Sequence, residues 1–569
     1  NNMLFYTHQK QKEKEAVKMR KITRKFTAMS MAVMMAVSFA GCGNRGQEQG
    51  SGSDSGETAN GDTITSLTDN PAEETSYPLD SDETLVFWGA LNANVSANFS
   101  NLGDTEIGKQ WQEQTGVTIE FEHPPVGQET EQFNLLIADG NYPDLWQQSW
   151  NNPNIYPGGP EKAIEDGVIL DLTEIIDKYC PNLKAYLKAN PEVDKQVKTD
   201  SGKYYIFPCI KENDEMCSVC GPMIRADWLE ELGLEVPETI DEWHDVLLAF
   251  KEKKGATAPL TWYWPDKGRT FTYAWGTPQN TFVIDDGKCV YGPAKPEYKD
   301  FLTTMNEWYE EGLLDPDLFA GGDALTNTKI TNGRSGATVS WAGGGMQTAT
   351  TLAQEEDPDF RLVATKWPVL EKGATAEYAN LSNRLTDGSV AIGGTCKDPI
   401  LAAKVLDYGY SEAGNKMFNY GVEGVSYTED SGEPVYTDEI LNNPDGWPIS
   451  QAMGKYIMAC YNGPFVQDWG YQTQYFQLPE AREAMSIWGE TNAREHTIPV
   501  LLPTEEESSE YASIINDINT YVDEMSAKFI MGTEDIESGF DTYIDTLNQM
   551  GLERVTEIQN AALERYENR

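Results

Sequence analysis

Three short apolar stretches alternate with two helical patterns near the start of the folded region, and this alternation most restricts the fold. The pattern predicts strands at 85–88, 117–121 and 143–146 and helices at 104–115 and 129–139. Gly116 and Gly140 directly follow the two helices, where a left-handed residue commonly ends a helix. Strand and helix alternating at this spacing favour a parallel sheet covered by helices. Ligands of such sheets bind at the carboxyl ends of the strands.

The amino-terminal segment has the composition of a secretion signal. Five basic residues lie between Lys18 and Lys25, immediately before an apolar run that begins at Phe26 and ends at Gly41. A membrane-spanning helix needs about 20 predominantly apolar residues, and the core of this run is shorter and contains serine. A signal peptide is therefore favoured over a transmembrane anchor. Residues 1–18 read as upstream sequence, with Met19 as the predicted start.

Phe39-Ala40-Gly41-Cys42 resembles the lipobox of bacterial lipoproteins, in which small residues precede a cysteine that is diacylated. The resemblance implies that residues 1–41 are a signal peptide with an upstream extension and that Cys42 carries the lipid. An ordinary secretory signal with an incidental cysteine is the alternative. Residues 43–81 contain only six apolar residues, too few to offset the entropy of ordering. Residues 42–81 are thus predicted to be a lipid-anchored flexible linker on the extracytoplasmic face of the cell membrane.

The composition restricts the partners of the exported chain. Residues 42–569 keep 35 of the 43 basic and 89 of the 91 acidic residues, a formal charge of −54. Such a surface repels nucleic acid and anionic lipid, so a nucleic-acid partner is excluded. About 490 residues follow the linker, enough for two or three domains. Seven cysteines remain after Cys42; because this number is odd, no complete disulfide framework follows.

Helices are also predicted further along the chain. Thr239-x-x-Glu242 and Thr504-x-x-Glu507 are capping boxes that begin amphipathic helices, and two more amphipathic stretches close the sequence. Their apolar stripes indicate packing faces rather than cofactor sites.

The chain resembles the extracellular solute-binding proteins of ABC importers, especially the large carbohydrate-type lipoproteins of Gram-positive bacteria (family 1 solute-binding proteins). Six segments in the expected order carry the resemblance: GNYPDLW (140–146), GKYYIFP (202–208), IRADWLEELGLEVPETIDEW (224–243), EEGLLDPDLF (310–319), NYGVEGVSY (419–427) and FIMGTEDIESGFDTYIDTLNQMGL (529–552). The insert KENDEMCSVCG (211–221) departs from the family pattern, where a hinge strand is expected.

The resemblance implies an α/β protein with a type II periplasmic-binding-protein-like fold: two parallel-sheet lobes joined by crossover strands near Phe207-Pro208, and a helical carboxyl-terminal region. The first lobe is expected at 82–208 with about 368–430, and the second at 209–367 with about 431–569. A monomer would close on a solute in the interlobe cleft and dock on the permease subunits of an ABC transporter. No cofactor, metal or catalytic residue is implied. The chain lacks a G-x-x-x-x-G-K-[ST] loop, so ATP hydrolysis is assigned to separate subunits.

An enzyme, a peptide-binding importer component and a purely adhesive surface protein are the alternatives. A secreted glycan-active enzyme would use paired carboxylates, but with 89 acidic residues some pair falls at the right spacing whatever the function. Neither H-E-x-x-H nor G-x-S-x-G occurs, and the histidines are His8, His123, His244 and His496. Cys217-x-x-Cys220 lacks the second pair that a zinc site needs, so a local disulfide or free thiols are predicted there.

Sugar sites combine aromatic platforms with hydrogen-bonding groups. The resemblance places the cleft near a set of tryptophans that we predict as ligand-binding: Trp88, Trp146, Trp262, Trp264, Trp275 and Trp341. Each could equally belong to a core. Trp341 is the strongest candidate, because it follows a buried strand at 337–340 and precedes three glycines, where an open α/β lobe meets its ligand. The predicted solute is an oligosaccharide of unspecified identity.

Overall fold

The computed structural model describes residues 66–569, except 153–154, 267, 321, 387, 431 and 459–461. The predicted signal peptide, Cys42 and the linker up to residue 65 lie outside the described residues. Within the described part of the chain, no helix combines the length and apolarity needed to cross a membrane.

Among the described residues, the strands are short and fall into two four-stranded sheets and three two-stranded ones. In chain order they are β1 (Thr84–Trp88), β2 (Thr118–Glu122), β3 (Leu145–Gln147), β4 (Ile210–Lys211), β5 (Cys220–Arg225), β6 (Leu260–Trp262), β7 (Phe282–Asp285), β8 (Lys288–Tyr291), β9 (Ala337–Trp341), β10 (Leu362–Ala364), β11 (Val390–Ile392), β12 (Tyr427–Asp430), β13 (Glu433–Tyr436) and β14 (Val466–Gln467).

Helices cover the sheets and form the carboxyl-terminal region. In chain order they are α1 (Ala93–Ser96), α2 (Glu106–Thr115), α3 (Glu129–Asp139), α4 (Gly159–Glu165), α5 (Thr173–Tyr179), α6 (Pro181–Ala189), α7 (Pro191–Gln196), α8 (Ala226–Leu232), α9 (Ile240–Lys254), α10 (Glu297–Glu310), α11 (Asp323–Thr331), α12 (Thr348–Ala353), α13 (Pro399–Asp407), α14 (Glu412–Tyr420), α15 (Asp438–Leu441), α16 (Ile449–Tyr456), α17 (Trp469–Tyr475), α18 (Pro479–Gly489), α19 (Glu505–Ile530), α20 (Ile536–Met550) and α21 (Leu552–Glu567). Short 3-10 turns lie at Leu102–Asp104, Glu215–Cys217, Thr272–Trp275, Gly292–Ala294, Tyr408–Tyr410 and Ala493–Glu495.

The first lobe is built on a sheet of order β11-β3-β1-β2. Strands β1, β2 and β3 are parallel, and β11 joins β3 antiparallel. The predicted strand and helix alternation is confirmed, and Gly116 and Gly140 end α2 and α3 at φ of 76° and 74°, a conformation that glycine adopts without strain.

The second lobe contains a mixed sheet of order β10-β5-β9-β6. Only β6 and β9 run parallel there, while β5 pairs antiparallel with both β9 and β10. Its helices include α9 and α19, both of which begin with the predicted capping boxes at Thr239 and Thr504. The two-lobed α/β fold is confirmed.

Two hydrophobic cores define the lobes and shift the predicted boundaries. The first core takes residues from 85–216 and 385–471, and the second from 223–367 and 476–563. The described residues between Tyr436 and Tyr471 thus pack in the first lobe, whereas the prediction placed them in the second. Conversely, Ala376 and Tyr378 pack against the second core rather than the first. The boundaries depend on packing between distant segments, which the local sequence pattern does not encode.

Three segments cross between the lobes in the described part of the chain. Immediately after the predicted crossover at Phe207-Pro208, β4 pairs in parallel with β14. Lys211 N donates a hydrogen bond to Arg384 O over 2.9 Å, and Arg384 Nε donates to Lys211 O over 2.9 Å. The crossovers at 211, 384 and 467 therefore run side by side as a hinge.

The prediction extends the flexible linker too far toward the carboxyl end, because residues 68–79 lie against the first lobe. Thr68 N donates to Asp177 Oδ1 over 2.7 Å, and Tyr77 Oη donates to Lys404 O over 2.6 Å. The Tyr77 ring also contacts Tyr408 edge-on, with 4.8 Å between the ring centroids. Although polar in composition, this segment is ordered by pairing with buried groups of the lobe.

Candidate functional site

A cavity of about 400 Å³ lies between the two lobes at the hinge. We call it the cleft. Its lining residues come from both lobes and from the crossovers: Asn92, Asn94, Lys211, Met216, Val219, Trp341, Gly343, Gly344, Thr386, Ser450, Gln467, Tyr471, Gln472, Tyr475 and Phe476. Aromatic rings and neutral amides predominate, and among the lining residues that the structure describes, Lys211 alone carries a formal charge.

Trp341 lies at the carboxyl end of β9, where the sequence predicts a ligand contact. It pairs with Cys220 across the antiparallel β5–β9 ladder. Its side chain keeps 40% of its surface exposed, although Ala337, Val339 and Ala342 beside it are buried. The guanidinium carbon of Arg269 lies 5.6 Å from the centre of the Trp341 ring, so a cation–π contact supports the ring. This combination holds a large apolar surface toward the cleft.

The three glycines after Trp341 form part of a π-helical turn at Ala342–Gln347. A side-chain carbon at Gly343 would lie 3.1 Å from Phe476 and 3.2 Å from Tyr475, whereas nothing lies within 4 Å at Gly344. Glycine at 343 therefore lets the turn approach the third crossover closely. At Gly344 no side chain projects into the cleft, so the space beside this residue stays open.

The first lobe contributes asparagines that the sequence analysis did not select. Asn92 follows β1 and caps α1, with its Oδ1 accepting a hydrogen bond from Asn94 N over 2.8 Å. Both side chains line the cleft. They follow the carboxyl end of a central parallel strand, so the rule that predicted the Trp341 site applies to them as well.

The third crossover contributes Tyr471 and Tyr475, which lie one helical turn apart on α17. The position of α17 is set by its cap residue Asp468, which accepts a hydrogen bond from Tyr420 Oη over 2.6 Å. No local sequence signal marks these tyrosines as ligand contacts, because their position depends on how this crossover passes between the lobes.

Lys211 is held at the junction of the crossovers. Its Nζ donates a hydrogen bond to Ser382 Oγ over 2.6 Å. It therefore supplies a positive charge beside the hinge and reaches from the first crossover to the second.

The other five predicted tryptophans belong to the cores. Trp88 and Trp146 contact each other edge-on in the first lobe, with 6.2 Å between the ring centroids. In the second lobe, Trp262, Trp264 and Trp275 pack with aromatic partners such as Phe271, Phe319 and Phe301. All five are at least nine-tenths buried, so the structure does not bring them to the cleft with Trp341.

The remaining candidates have structural partners. His123 Nδ1 bonds to Gly89 O over 2.8 Å and its Nε2 accepts from Leu102 N over 3.1 Å, while burial lowers the pKa of the ring. His244 bonds to Glu311 at 2.9 Å. Cys217 and Cys220 are buried and free of disulfides. Among the residues that the structure describes, no group of His, Cys, Asp and Glu has the arrangement of a metal site.

The cleft can bind, between the two lobes, a molecule with apolar faces and many hydroxyl groups. Aromatic rings contact the C–H faces of such a molecule, and amides both donate to and accept from hydroxyl groups.

Known proteins resemble this chain over most of its length. A family model described as bacterial extracellular solute-binding protein matches residues 100–416. FusA, a fructooligosaccharide ABC transporter substrate-binding protein of Streptococcus pneumoniae, is 23% identical over 533 residues, which cover 88% of this chain and 93% of that protein. Lipoprotein LipO of Bacillus subtilis is 23% identical over 458 residues, covering 78% and 86%. The crystal structure of alginate-binding protein AlgQ2 without calcium ion is 26% identical and has a TM-score of 0.67, covering 88% of this chain and 99% of that one.

Proposed function

The chain belongs to the bacterial extracellular solute-binding proteins, and from this premise we propose that it captures a neutral oligosaccharide in the cleft and delivers it to the permease of an ABC transporter. The observation that carries the proposal is the position of Trp341, a partly exposed aromatic ring at a strand end in a cavity shared by both lobes. The names of FusA and AlgQ2, which bind fructooligosaccharide and alginate, support a saccharide as the class of solute.

The charge of the chain favours a neutral saccharide over a polyuronate. Residues 42–569 carry a formal charge of −54, which opposes the approach of a polyanion. Within the cleft, Lys211 could accompany a single acidic group, but the amides of Asn92, Asn94 and Gln472 suit hydroxyl groups.

Binding without turnover is part of the proposal. Binding energy would draw the lobes together about the three crossovers, and the closed form would dock on the permease. We also propose that Cys42 anchors the monomer to the outer face of the cell membrane.

Titration calorimetry on residues 42–569, with Cys42→Ser to omit the lipid, tests the proposed solute. The panel contains neutral oligosaccharides, oligouronates and mixed oligopeptides, and chromatography follows any products. We expect micromolar or tighter binding of a neutral oligosaccharide, no cleavage, and a smaller radius of gyration in solution scattering at saturation. Tight binding of peptides or uronates alone, or cleavage at enzyme-like rates, would overturn the proposal.

A further inference from the structure

A second cavity of about 340 Å³ lies in the second lobe, beside the crossover at 384. We call it the outer cavity. Its walls are formed by residues 278–283, 378–383 and 493–498, with Gly268 and Tyr273 beside them. None of the described residues that line it also lines the cleft. The outer cavity is therefore a separate space, and its walls belong to the second lobe and the adjoining crossover.

Hydrogen bonds hold this crossover as a wall between the outer cavity and the cleft. Ser382 lines the outer cavity, and its Oγ accepts a hydrogen bond over 2.6 Å from Lys211 Nζ, which lines the cleft. Ser382 N donates to Cys217 O over 3.2 Å, and Asn383 Nδ2 donates to Ile498 O over 3.3 Å. Because the wall is bonded on both sides, a molecule can occupy the outer cavity whether or not the cleft is occupied.

The outer cavity offers a neutral surface that forms hydrogen bonds. Among its described lining residues there is no Asp, Glu, Lys or Arg. Amides and hydroxyl groups both donate and accept hydrogen bonds, so this surface suits a neutral molecule with several hydroxyl groups. The residues that provide amides or hydroxyl groups are Gln279, Thr281, Asn380, Ser382, Asn383 and Thr497.

Gln279 carries an acceptor that its neighbours leave without a donor. Its side chain is 1% exposed, and its Nε2 donates to Asp523 Oδ1 over 3.3 Å. Because a carboxylate only accepts, Asp523 holds the amide with its NH₂ group toward the carboxylate and its oxygen turned away. In the described part of the chain, no donor bonds to Gln279 Oε1. A buried carbonyl without a donor is destabilising, and since Gln279 lines the outer cavity, a hydroxyl group bound there can supply the missing donor.

Two aromatic side chains complete the wall. Tyr378 and His496 form a close ring pair with 4.3 Å between their centroids. His496 Nδ1 donates to Ile284 O over 2.8 Å, which fixes the orientation of the imidazole. A side-chain carbon at Gly276 would lie 2.8 Å from the Tyr378 ring, so glycine lets this ring pack directly on the turn. The fixed ring pair provides an apolar surface that suits the C–H groups of a sugar or polyol.

We propose that the outer cavity is a second binding site, independent of the cleft, which takes one small neutral polyhydroxy molecule, a monosaccharide or a polyol. Its volume is near the lower end of the range of about 300–1,000 Å³ for small-molecule sites, so the occupant is small. Since its walls belong to one lobe and the adjoining crossover, binding there does not require the lobes to close.

Titration calorimetry and saturation-transfer NMR on residues 42–569 with Cys42→Ser test the inference. The probes are glucose, galactose, mannose and fructose as monosaccharides, and mannitol and myo-inositol as polyols. We expect at least one probe to bind with a Kd of about 1 mM or tighter, equally in the presence and absence of Trp341→Ala, and without a change in the radius of gyration. Asn380→Ala and Gln279→Leu should each weaken this binding at least fivefold. Asn516→Ala, at an exposed asparagine on α19, is the matched control and should bind like the wild type.

The outcomes separate this inference from the proposed function. If every probe that binds the wild type fails to bind Trp341→Ala but still binds Asn380→Ala, the probes occupy the cleft, and the second site is overturned while the proposed function stands. The second site is also overturned if no probe binds at all. If a probe binds as expected while no oligosaccharide binds, the second site stands and the proposed function falls. A crystal structure with the bound probe gives an independent readout, since the probe should contact Gln279 and Asn380.

Discussion

Asp200 of the first lobe and Arg565 of the last helix of the second lobe form a hydrogen-bonded ion pair, in which Arg565 Nε donates to Asp200 Oδ2 over 2.7 Å. Arg569 Nε donates to the other oxygen of the same carboxylate over 2.8 Å, and Arg565 Nη2 donates to Glu507 Oε2 over 2.9 Å. None of these residues lines the cleft. The lobes are thus joined by ionic contacts as well as by the three crossovers.

Asp200→Asn should lower the free energy of unfolding by about 1–3 kcal/mol, the usual effect of losing a hydrogen bond to a charged group. Both partners are partly exposed, so the effect should shrink in high salt. Urea unfolding at two salt concentrations measures it. Glu174→Gln, which breaks the exposed Lys178 pair on α5, is the matched control and should cost less than about 1 kcal/mol. Equal losses in the two variants would show that the interlobe pair has no special role.

The segment before the first strand should contribute to stability. Lys184 Nζ, which is buried, donates to Asn70 O over 2.7 Å and pairs with Asp177 at 2.7 Å. Removal of residues up to 81 would expose this pair and the partly buried Tyr77 and Leu79 side chains. We expect a loss of about 2–5 kcal/mol, since apolar burial is partly offset by the entropy of ordering the segment. Thermal unfolding of chains that begin at residues 66 and 82 measures the difference; equal melting temperatures would contradict it.

The local part of the fold was predictable and the long-range part was not. Gly116, Gly140 and the capping boxes at Thr239 and Thr504 act within one helical turn, so the sequence alone predicts their helix ends. The predicted lobe boundaries differ from the observed ones because β14 pairs with β4, which lies more than 200 residues earlier in the chain. The order of the segment at 68–79 was likewise not predictable, because its polar groups bond to Asp177 and Lys404, which lie far away in the sequence.

The residues of the candidate site also divide into those that the local sequence predicts and those whose position depends on distant segments. Trp341 was predictable from a strand end followed by glycines, and Asn92 and Asn94 follow the same rule after β1. Trp88 and Trp262 also lie at strand ends, yet they are buried, because which face of a strand enters the core is decided by the helices packed on it. Tyr471 and Tyr475 reach the cleft only through the path of the third crossover.

Buried Asp407 predicts a pH-dependent stability of the first lobe. Its carboxylate accepts hydrogen bonds from Leu183 N at 2.8 Å and Asn182 Nδ2 at 2.7 Å, but burial outweighs them and raises its pKa to about 6. An unfolded Asp has a pKa of about 3.9, so the folded state binds the proton more tightly. The contribution of Asp407 to the free energy of unfolding should therefore be greatest below pH 4 and be lost as the pH rises through 6.

Asp407→Asn cannot titrate and isolates this contribution. The difference in unfolding free energy, wild type minus variant, should fall by roughly 2–3 kcal/mol between pH 4 and pH 7. Urea unfolding at intervals of half a pH unit measures it. The control is Asp535→Asn at the exposed start of α20, where hydrogen bonds from Ser538 lower the carboxyl pKa; its difference should rise slightly up to about pH 5, as the unfolded carboxyl ionises, and stay constant above it. A constant difference for Asp407→Asn as well would sink the prediction.

Cys42→Ser should release the protein from the membrane fraction into the medium, because the serine hydroxyl cannot take the thioether-linked lipid. Fractionation of cells that express the full chain measures this, with the partly exposed Cys396 as matched control: Cys396→Ser should stay with the membrane. If Cys42→Ser remains membrane-bound, the interpretation of residues 39–42 as a lipobox is wrong.

Trp341→Ala separates a ligand contact from a core residue. Its ring is 40% exposed beside the cleft, so its removal should change the unfolding free energy of the solute-free protein little. Affinity for the bound saccharide should fall by roughly 1–3 kcal/mol, the scale for losing a large apolar contact. Trp262→Ala is the matched control, because Trp262 is 1% exposed; it should lower the unfolding free energy by about 3–5 kcal/mol through the cavity it leaves. Calorimetric titration and urea unfolding of both variants give the comparison. A destabilised Trp341→Ala variant with wild-type affinity would place Trp341 in the core, and the search for the sugar platform would then move to Tyr471 and Tyr475 on the third crossover.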